Sequence, residues 1–279
     1  MKHDLPAADG IGAGTIVRHK SDGRFECVSD ELAVEEPLEI RLGNQPLAIT
    51  MRTPGNDDEL AAGFLLSEGV IHRKSDIKEL HHSPVSISPG NILNVLLSTK
   101  QNVKSAGVQR FGTISSSCGL CGKTSIESIR QQFPPLNPSS AVRISIAQLL
   151  DLPQRLRSAQ GNFDRTGGIH AAAIFDLASD HTILREDIGR HNAVDKAIGR
   201  ALLDHLIPLQ NHVLMVSGRS SLEILQKALA AGIPIVASVS APSSLAVNFA
   251  RESGQTLIGF LRPPTFNVYS HVERIDAGQ

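Results

Sequence analysis

Two hydrophobic patterns follow one another along the chain. In residues 15–105, apolar residues mostly alternate with polar ones, which is typical of strands with one buried face. One predicted hairpin has Leu38, Ile40 and Leu42 before a Gly43-Asn44 turn and Leu47, Ile49 and Met51 after it. We therefore expect a mainly β structure in this part of the chain.

Helix and strand signals follow this hairpin. Turn residues 54–57 end the strand and begin a predicted helix that runs to about Ser67, with Gly69 just beyond it. Residues 77–80 and 92–97 predict a second pair of strands. The N-terminal part thus combines two strand pairs with one helix.

Beyond residue 106 the pattern changes to alternating strands and helices. A strand over 170–175 and a helix over 192–206 come first. Strands over 213–216, 235–239 and 256–261 follow, with helices over 220–230 and 243–252 between them. These short connections predict a parallel sheet with right-handed crossovers, so we assign the chain to the α/β class.

The length of the chain fits two domains, because 279 residues is nearly twice an average domain of about 150 residues. We expect a flexible tail over residues 1–14 and a β-rich N-terminal domain over 15–105. An α/β domain over 106–279 would carry a pair of cysteines as well.

The composition argues against several classes of function. Lys and Arg number 27 and Asp and Glu 28, so the net charge of −1 disfavours a large nucleic-acid-binding surface. No apolar run approaches the roughly 18 residues of a membrane helix, and no secretory stretch opens the chain. Three cysteines do not form a disulfide framework. We expect a cytoplasmic protein that binds neither nucleic acid nor membrane.

The loops after the parallel strands predict an anion site. Ligands of open parallel sheets bind beyond the carboxyl ends of the strands, where helix N-termini add backbone donors. The loops are Ser217-Gly218-Arg219, Ser240-Ala241-Pro242-Ser243 and Arg262-Pro263-Pro264. We expect a phosphate-bearing ligand there; ordinary turns with surface arginines are the alternative.

Cys118 and Cys121 form the most distinctive local motif, SCGLCGK. A predicted helix N-terminus and Lys123 both favour the thiolate, which is the nucleophilic form of cysteine. Disulfide exchange and sulfur transport through a persulfide use the same thiolate chemistry. The motif alone leaves both functions open.

Zinc chemistry has less support. A structural zinc site would need two further ligands, such as Cys27 with His170 or His191, and no second paired spacing exists. Zinc deaminases need His-x-Glu upstream of the cysteines, whereas His170-Ala171-Ala172 follows them and lacks the glutamate. We expect no metal site and no deaminase activity, with Cys27 packed as a small hydrophobe.

Several segments resemble the FdhD family, the formate dehydrogenase accessory sulfurtransferases. They include SCGLCG at 117–122, FDRTGGIHAAA at 163–173, EDIGRHNAVDK at 186–196, SGRSSLEILQK at 217–227 and SAPSSLAV at 240–247. The resemblance implies a cytidine-deaminase-like three-layer α/β/α domain, a smaller N-terminal domain and a homodimer. It also implies a sulfur carrier that takes sulfur from a cysteine desulfurase as a persulfide. The sulfur would pass to the Mo-bis(molybdopterin guanine dinucleotide) cofactor of formate dehydrogenase.

The resemblance assigns roles to particular residues. Cys118 would bear the persulfide, with Cys121 as its partner. The cofactor-binding segment falls on Phe260, Leu261, Arg262, Pro263, Pro264 and Thr265. The other candidate cofactor-binding residues are Arg219, Arg190, Ser217, Gly218, His191 and His170. Among these, the arginines are suited to bidentate contacts with phosphate.

Alternatives remain for these residues and for the whole protein. Arg190 and His191 could instead cap a helix or form an ion pair between domains, and His170 could be a hydrogen-bonded core residue. The protein could also be a cofactor-binding chaperone that moves no sulfur, or a disulfide oxidoreductase.

Overall fold

The chain folds into a mixed α/β structure. A computed structural model describes residues 10–43, 45–83, 90–98, 133–137 and 142–276. The strands are β1 (Ile11–His19), β2 (Phe25–Ala33), β3 (Glu36–Leu42), β4 (Gln45–Arg52), β5 (Ile77–His82), β6 (Ile92–Leu97), β7 (Ile144–Ser145), β8 (His170–Asp176), β9 (Thr182–Asp187), β10 (His212–Val216), β11 (Ile235–Ser238), β12 (Thr256–Arg262), β13 (Thr265–Ser270) and β14 (Ile275–Asp276). The α-helices are α1 (Asp57–Ser67), α2 (Ile146–Ser158), α3 (Gly161–Thr166), α4 (Arg190–Leu203), α5 (Leu222–Ala230) and α6 (Ser244–Ser253).

A six-stranded sheet has the order β13-β12-β11-β10-β8-β9. The three strands β10, β11 and β12 are parallel, as predicted. However, β8 and β13 run antiparallel to β10 and β12, and β9 runs antiparallel to β8. The prediction of a parallel arrangement is therefore confirmed for these three strands. The direction of the strands that flank them was not predicted, because an apolar run does not reveal its direction.

Helices cover both faces of this sheet. Ala172 and Ile174 of β8 belong to the core that α1, α4, α5 and α6 also line. Ala171 and Phe175 point to the opposite face and share a second core with Leu152 of α2. Successive residues of a strand face opposite sides, so the sheet forms the middle of three layers.

The predicted N-terminal hairpin is confirmed as β3 and β4, which belong to a four-stranded sheet of order β4-β3-β6-β5. A register shift follows Ile40, which is buried. In the part of β4 after this shift, Ile49 and Met51 lie on the exposed side of the strand and are 37% and 41% exposed. The core of this sheet is continuous with that of α4, since Leu38 and Val194 share one apolar cluster.

Two boundaries differ from those predicted. β1 begins at Ile11, inside the segment expected to be a flexible tail, and pairs with β2 in a two-stranded ribbon. α4 begins at Arg190 rather than at residue 192, because the N–H of Gly189 donates to the Asp187 carboxylate at 2.8 Å and fixes the turn before the helix. Arg190 therefore stands in the first turn of α4. In the described part of the chain, no helix is both long enough and apolar enough to cross a membrane.

Candidate functional site

The ends of several elements meet along one edge of the six-stranded sheet. The parallel strands β10, β11 and β12 end there. β8 begins at the same edge, since Ala172 pairs with Val216, and β9 ends there, since His170 pairs with Asp187. We call residues 170, 187–191, 217–220, 239–243 and 260–265 the carboxyl edge.

His170 and Arg190 meet at Gly218, at one end of the carboxyl edge. A methyl group on the Cα of Gly218 would lie 3.5 Å from His170 Nδ1 and 3.5 Å from Arg190 Cδ. Ser217 anchors this loop, because its Oγ accepts the N–H of Ala171 at 2.9 Å and its own N–H donates to the Ala171 carbonyl at 2.9 Å. A histidine and an arginine from different elements thus line the same small space.

Two buried polar atoms at this end have no partner within the described part of the chain. Arg190 is half-buried. Its Nε atom is shielded from solvent, and no described residue accepts a hydrogen bond from this nitrogen. Ser220 is 0% exposed, and its Oγ is likewise unpaired. A buried polar atom left unpaired costs about 1–3 kcal/mol. With the exposed Arg219 and the N-terminus of α5 adjacent, the arrangement is suited to an anion.

His191 has a different environment from Arg190. Its side chain is buried, and its Nε2 lies 3.1 Å from Ser221 Oγ and 4.0 Å from Glu223 Oε2. These contacts connect the first turns of α4 and α5. His191 therefore holds the two helices together at the carboxyl edge.

The charge of His170 depends on its surroundings. Burial lowers the pKa of His170 below its usual 6.5, and the Arg190 guanidinium lowers it further, while the Asp187 carboxylate acts in the opposite direction. The imidazole is therefore neutral at neutral pH in the free protein.

The other end of the carboxyl edge is the hairpin of β12 and β13. Phe260 is 41% exposed and has a φ of +51°, an unusual backbone conformation for a residue other than glycine. Its N–H donates to the Ser240 carbonyl at 3.1 Å. Gly259 permits this close approach, because a Cβ there would lie 2.9 Å from Pro242 Cδ. The hairpin thus presents an aromatic ring in a constrained position.

The remaining residues of the predicted cofactor-binding segment differ in exposure. Arg262 is exposed, and its Nε donates to the Val239 carbonyl at 2.9 Å. Pro263, Pro264 and Thr265 are exposed at the hairpin tip, whereas the Leu261 side chain is fully buried in the core. Because β12 and β8 are three strand positions apart, the two ends of the carboxyl edge are separated by about 14 Å.

Known proteins are similar to this chain in sequence and architecture. The profile of the FdhD/NarQ family matches residues 33–276. This chain belongs to the FdhD/NarQ family. A Streptomyces coelicolor protein named sulfur carrier protein FdhD is 48% identical over 259 residues, which cover 91% of this chain and 92% of the relative. A protein of the same name from Sulfurisphaera tokodaii is 45% identical over 254 residues, covering 90% and 94%.

A solved structure resembles the FdhD/NarQ chain along nearly all of its length. It is a Desulfotalea psychrophila protein described as a formate dehydrogenase accessory protein. The TM-score is 0.74 at 25% sequence identity, and the alignment covers 95% of this chain and 99% of the other. The resemblance inferred from the motifs is thereby confirmed.

The EDIGRHNAVDK segment of this FdhD/NarQ chain has a structural role that sequence analysis missed. Asp187 is fully buried, and its carboxylate lies 2.7 Å from Lys196 Nζ and accepts the N–H of Thr53 at 3.1 Å. Lys196 also donates to the Thr53 carbonyl at 2.8 Å, and Asn192 donates to the Met51 carbonyl at 2.7 Å. These contacts tie α4 to the end of β4 and so fix the position of its first turn. The available signal was the charged Lys196 beside the apolar residues Val194 and Ala197 of α4.

A second buried ion pair lies deeper in the same core. Lys227 Nζ is 2.7 and 2.8 Å from the two carboxylate oxygens of Asp195, and Ser67 Oγ donates to the same carboxylate at 3.0 Å. Burial raises the pKa of Asp195, and the Lys227 ammonium opposes the rise. This cluster joins α1, α4 and α5.

The cysteines predicted to carry the chemistry, Cys118 and Cys121, lie outside the described residues. Cys27 is described, and it is exposed, so the prediction of a packed hydrophobe is wrong. It lies opposite Val17 in the β1–β2 ribbon, where two strands alone offer little to bury it. Among the described residues, no group of three potential ligands could hold a metal ion.

Proposed function

We propose that this protein is a sulfur carrier that serves formate dehydrogenase and acts on its molybdenum cofactor. Relatives over 40% identical along nearly the whole chain are named sulfur carrier proteins, and a similar structure is described as a formate dehydrogenase accessory protein. The observation that favours a phosphate-bearing client is that two buried polar atoms of the carboxyl edge, Arg190 Nε and Ser220 Oγ, have no hydrogen-bond partner among the described residues.

Sulfur loading takes place on Cys118. Its thiolate attacks the outer sulfur of a persulfide on a cysteine desulfurase, the S–S bond of that persulfide breaks, and the desulfurase thiolate leaves. Cys118 then carries the transferred sulfur. Cys121 is close enough in sequence to attack Cys118 Sγ in turn, which forms a disulfide and expels hydrosulfide. A dithiol reductant then restores both thiols.

The client, Mo-bis(molybdopterin guanine dinucleotide), is a substrate that binds along the carboxyl edge. Arg190, Arg219 and the N-terminus of α5 suit its phosphates, since guanidinium groups and free backbone N–H groups both bind phosphate oxygens. The separation of about 14 Å between the edge's two ends suits a ligand of dinucleotide size. The exposed ring of Phe260 offers a stacking surface at the far end.

The proposal also covers the fold and the assembly of the protein. Helices on both faces of a mixed sheet support a cytidine-deaminase-like arrangement without deaminase chemistry, because Ala172 stands where the catalytic glutamate would be. The protein acts in the cytoplasm as a homodimer, with a cysteine desulfurase and formate dehydrogenase as its partners.

Intact-mass measurement tests the sulfur step. The full-length protein, incubated with a cysteine desulfurase and L-cysteine, should gain the mass of one sulfur atom, which a thiol reductant should remove. Cys118→Ala should abolish the gain, while Cys27→Ala, which removes another accessible thiol, should keep it. A Cys118→Ala protein that still acquires labile sulfur would refute the assignment.

Two further measurements separate the alternatives. If Cys118→Ala still restores formate dehydrogenase activity, the protein is a chaperone that moves no sulfur. If the protein reduces insulin while cycling through a Cys118–Cys121 disulfide, it is an oxidoreductase. Both outcomes contradict the proposal.

A further inference from the structure

His170 faces charged groups from two neighbouring elements. Asp187 on β9 is its cross-strand partner, and Arg190 on α4 lies against Gly218, as the His170 ring does. The loop after β10 contributes the uncharged Ser217 and Gly218, and the exposed Arg219 follows them directly in the chain. Within the described part of the chain, neither ring nitrogen of His170 has a hydrogen-bond partner. Its hydrogen-bonding capacity is therefore available to a ligand.

Asp187 does not supply the partner that a charged His170 would need. Its carboxylate is already engaged by Lys196 Nζ at 2.7 Å and by the N–H groups of Thr53 at 3.1 Å and Gly189 at 2.8 Å. Asn192 Nδ2 donates to the same carboxylate at 3.1 Å, so each of the two oxygens already accepts from two donors. In the free protein, a proton on His170 would therefore face the Arg190 guanidinium without a hydrogen-bonded counter-ion.

A bound anion would instead favour the protonated form of His170. An anion between His170 and Arg190 cancels the repulsion between the two cations and accepts a hydrogen bond from the imidazole. The pKa of His170, which burial and Arg190 hold below 6.5, then rises. A group whose pKa rises on binding takes up a proton from solvent as the complex forms.

We propose that His170 couples binding of the phosphate-bearing client to the uptake of a proton, and that it shares the anion with Arg190. This deepens the proposed function and rests on its anion site at the carboxyl edge. His170 is thus a specificity residue that favours ligands with negative charge at this end of the edge. Affinity rises as the pH falls, by at most about tenfold per pH unit for one proton.

Calorimetry with a defined probe tests the coupling. The probe is diguanosine diphosphate, a pyrophosphate-linked guanosine dimer whose phosphates keep their charge between about pH 5.5 and pH 8. Titrating the full-length protein in buffers of different ionisation enthalpy yields the number of protons taken up. We expect net uptake near neutral pH and tighter binding at lower pH.

Two variants show whether His170 is the residue that takes up the proton. His170→Gln should abolish the uptake and flatten the pH dependence of the dissociation constant, while retaining weaker binding through Arg190. His212→Gln is the matched control, because His212 is another half-buried histidine with a lowered pKa, placed at the start of β10 and so at the opposite edge of the sheet. It should leave the uptake unchanged.

The outcomes separate this inference from the function on which it rests. Binding without proton uptake, or uptake that persists in His170→Gln, overturns the coupling and leaves the anion site intact. Failure of the probe to bind at any pH overturns both the anion site and the coupling. Sulfur loading of Cys118 is measured separately and does not depend on either result.

Discussion

Gly199 in α4 packs against the carbonyl oxygen of Glu59 in α1 so closely that any Cβ on Gly199 would collide with it. In the same way, any Cβ on Gly63 in α1 would collide with the carbonyl oxygen of Asp195 in α4. The two helices therefore touch through their backbones, and this contact joins the N-terminal sheet to the helices below the carboxyl edge.

Replacing this glycine should force the helices apart. We expect Gly199→Ala to lower the free energy of unfolding by about 1–3 kcal/mol, the usual cost of overpacking a core. Urea denaturation measures it. Gly161→Ala is the control, because no atom lies within 4 Å of the Cβ that it would add. Equal stability of the two variants would contradict the packing argument.

The buried pair of Asp195 and Lys227 should respond strongly to loss of one partner. Lys227→Met leaves the carboxylate buried without its cation, so we expect a loss of about 3–5 kcal/mol of stability. Adding Asp195→Leu should recover part of this loss, since neither charge then remains. A double-mutant cycle by urea denaturation measures the coupling. Additive effects of the two substitutions would show that the pair is not coupled.

Stability should fall as the pH falls below about 6.5, the ordinary pKa of histidine. Burial is the main cause that lowers the pKa of His170 and of His212 in the folded protein. The unfolded chain therefore binds protons first, and acidification favours unfolding until the folded-state pKa values are reached. Urea denaturation at about pH 7.5 and 5.5 measures the effect. His212→Gln should reduce the loss of unfolding free energy between these two pH values. A loss as large as that of the unsubstituted protein would rule out His212 as a source.

Arg190 should determine the affinity for phosphate-bearing ligands. A hydrogen bond to a charged group contributes about 1.5–3 kcal/mol, so Arg190→Gln should weaken binding of diguanosine diphosphate roughly 10- to 150-fold. Arg24→Gln is the control, because Arg24 is exposed in the turn of the β1–β2 ribbon, where it pairs with Asp22. Equal losses in both variants would point to a general effect of charge rather than to a site.

Local patterns predicted the elements better than they predicted the contacts between them. The β3–β4 hairpin and the strands β10, β11 and β12 follow from alternation and from short apolar runs bounded by turns. The direction of β8 and the exposure of Cys27 do not, because both depend on which strands pair.

The same limit applied to the candidate site. The loops that form the carboxyl edge were predicted from the ends of the parallel strands. The network under it was not, because Asp187 and Lys196 bind Thr53 across 134 and 143 residues of sequence. Whether Arg190 lacks a partner could be seen only once the neighbouring elements were in place.

The two prolines at the tip of the β12–β13 hairpin make the two ends of the carboxyl edge differ in the hydrogen bonds that they can form. Neither Pro263 nor Pro264 has an amide hydrogen, so their main chain can only accept hydrogen bonds. The Arg190 guanidinium and the free backbone N–H groups at the start of α5, at the opposite end, donate them. The hydroxyl or amine groups of a ligand would therefore find acceptors at the proline tip, while its acidic groups would find donors at α4 and α5.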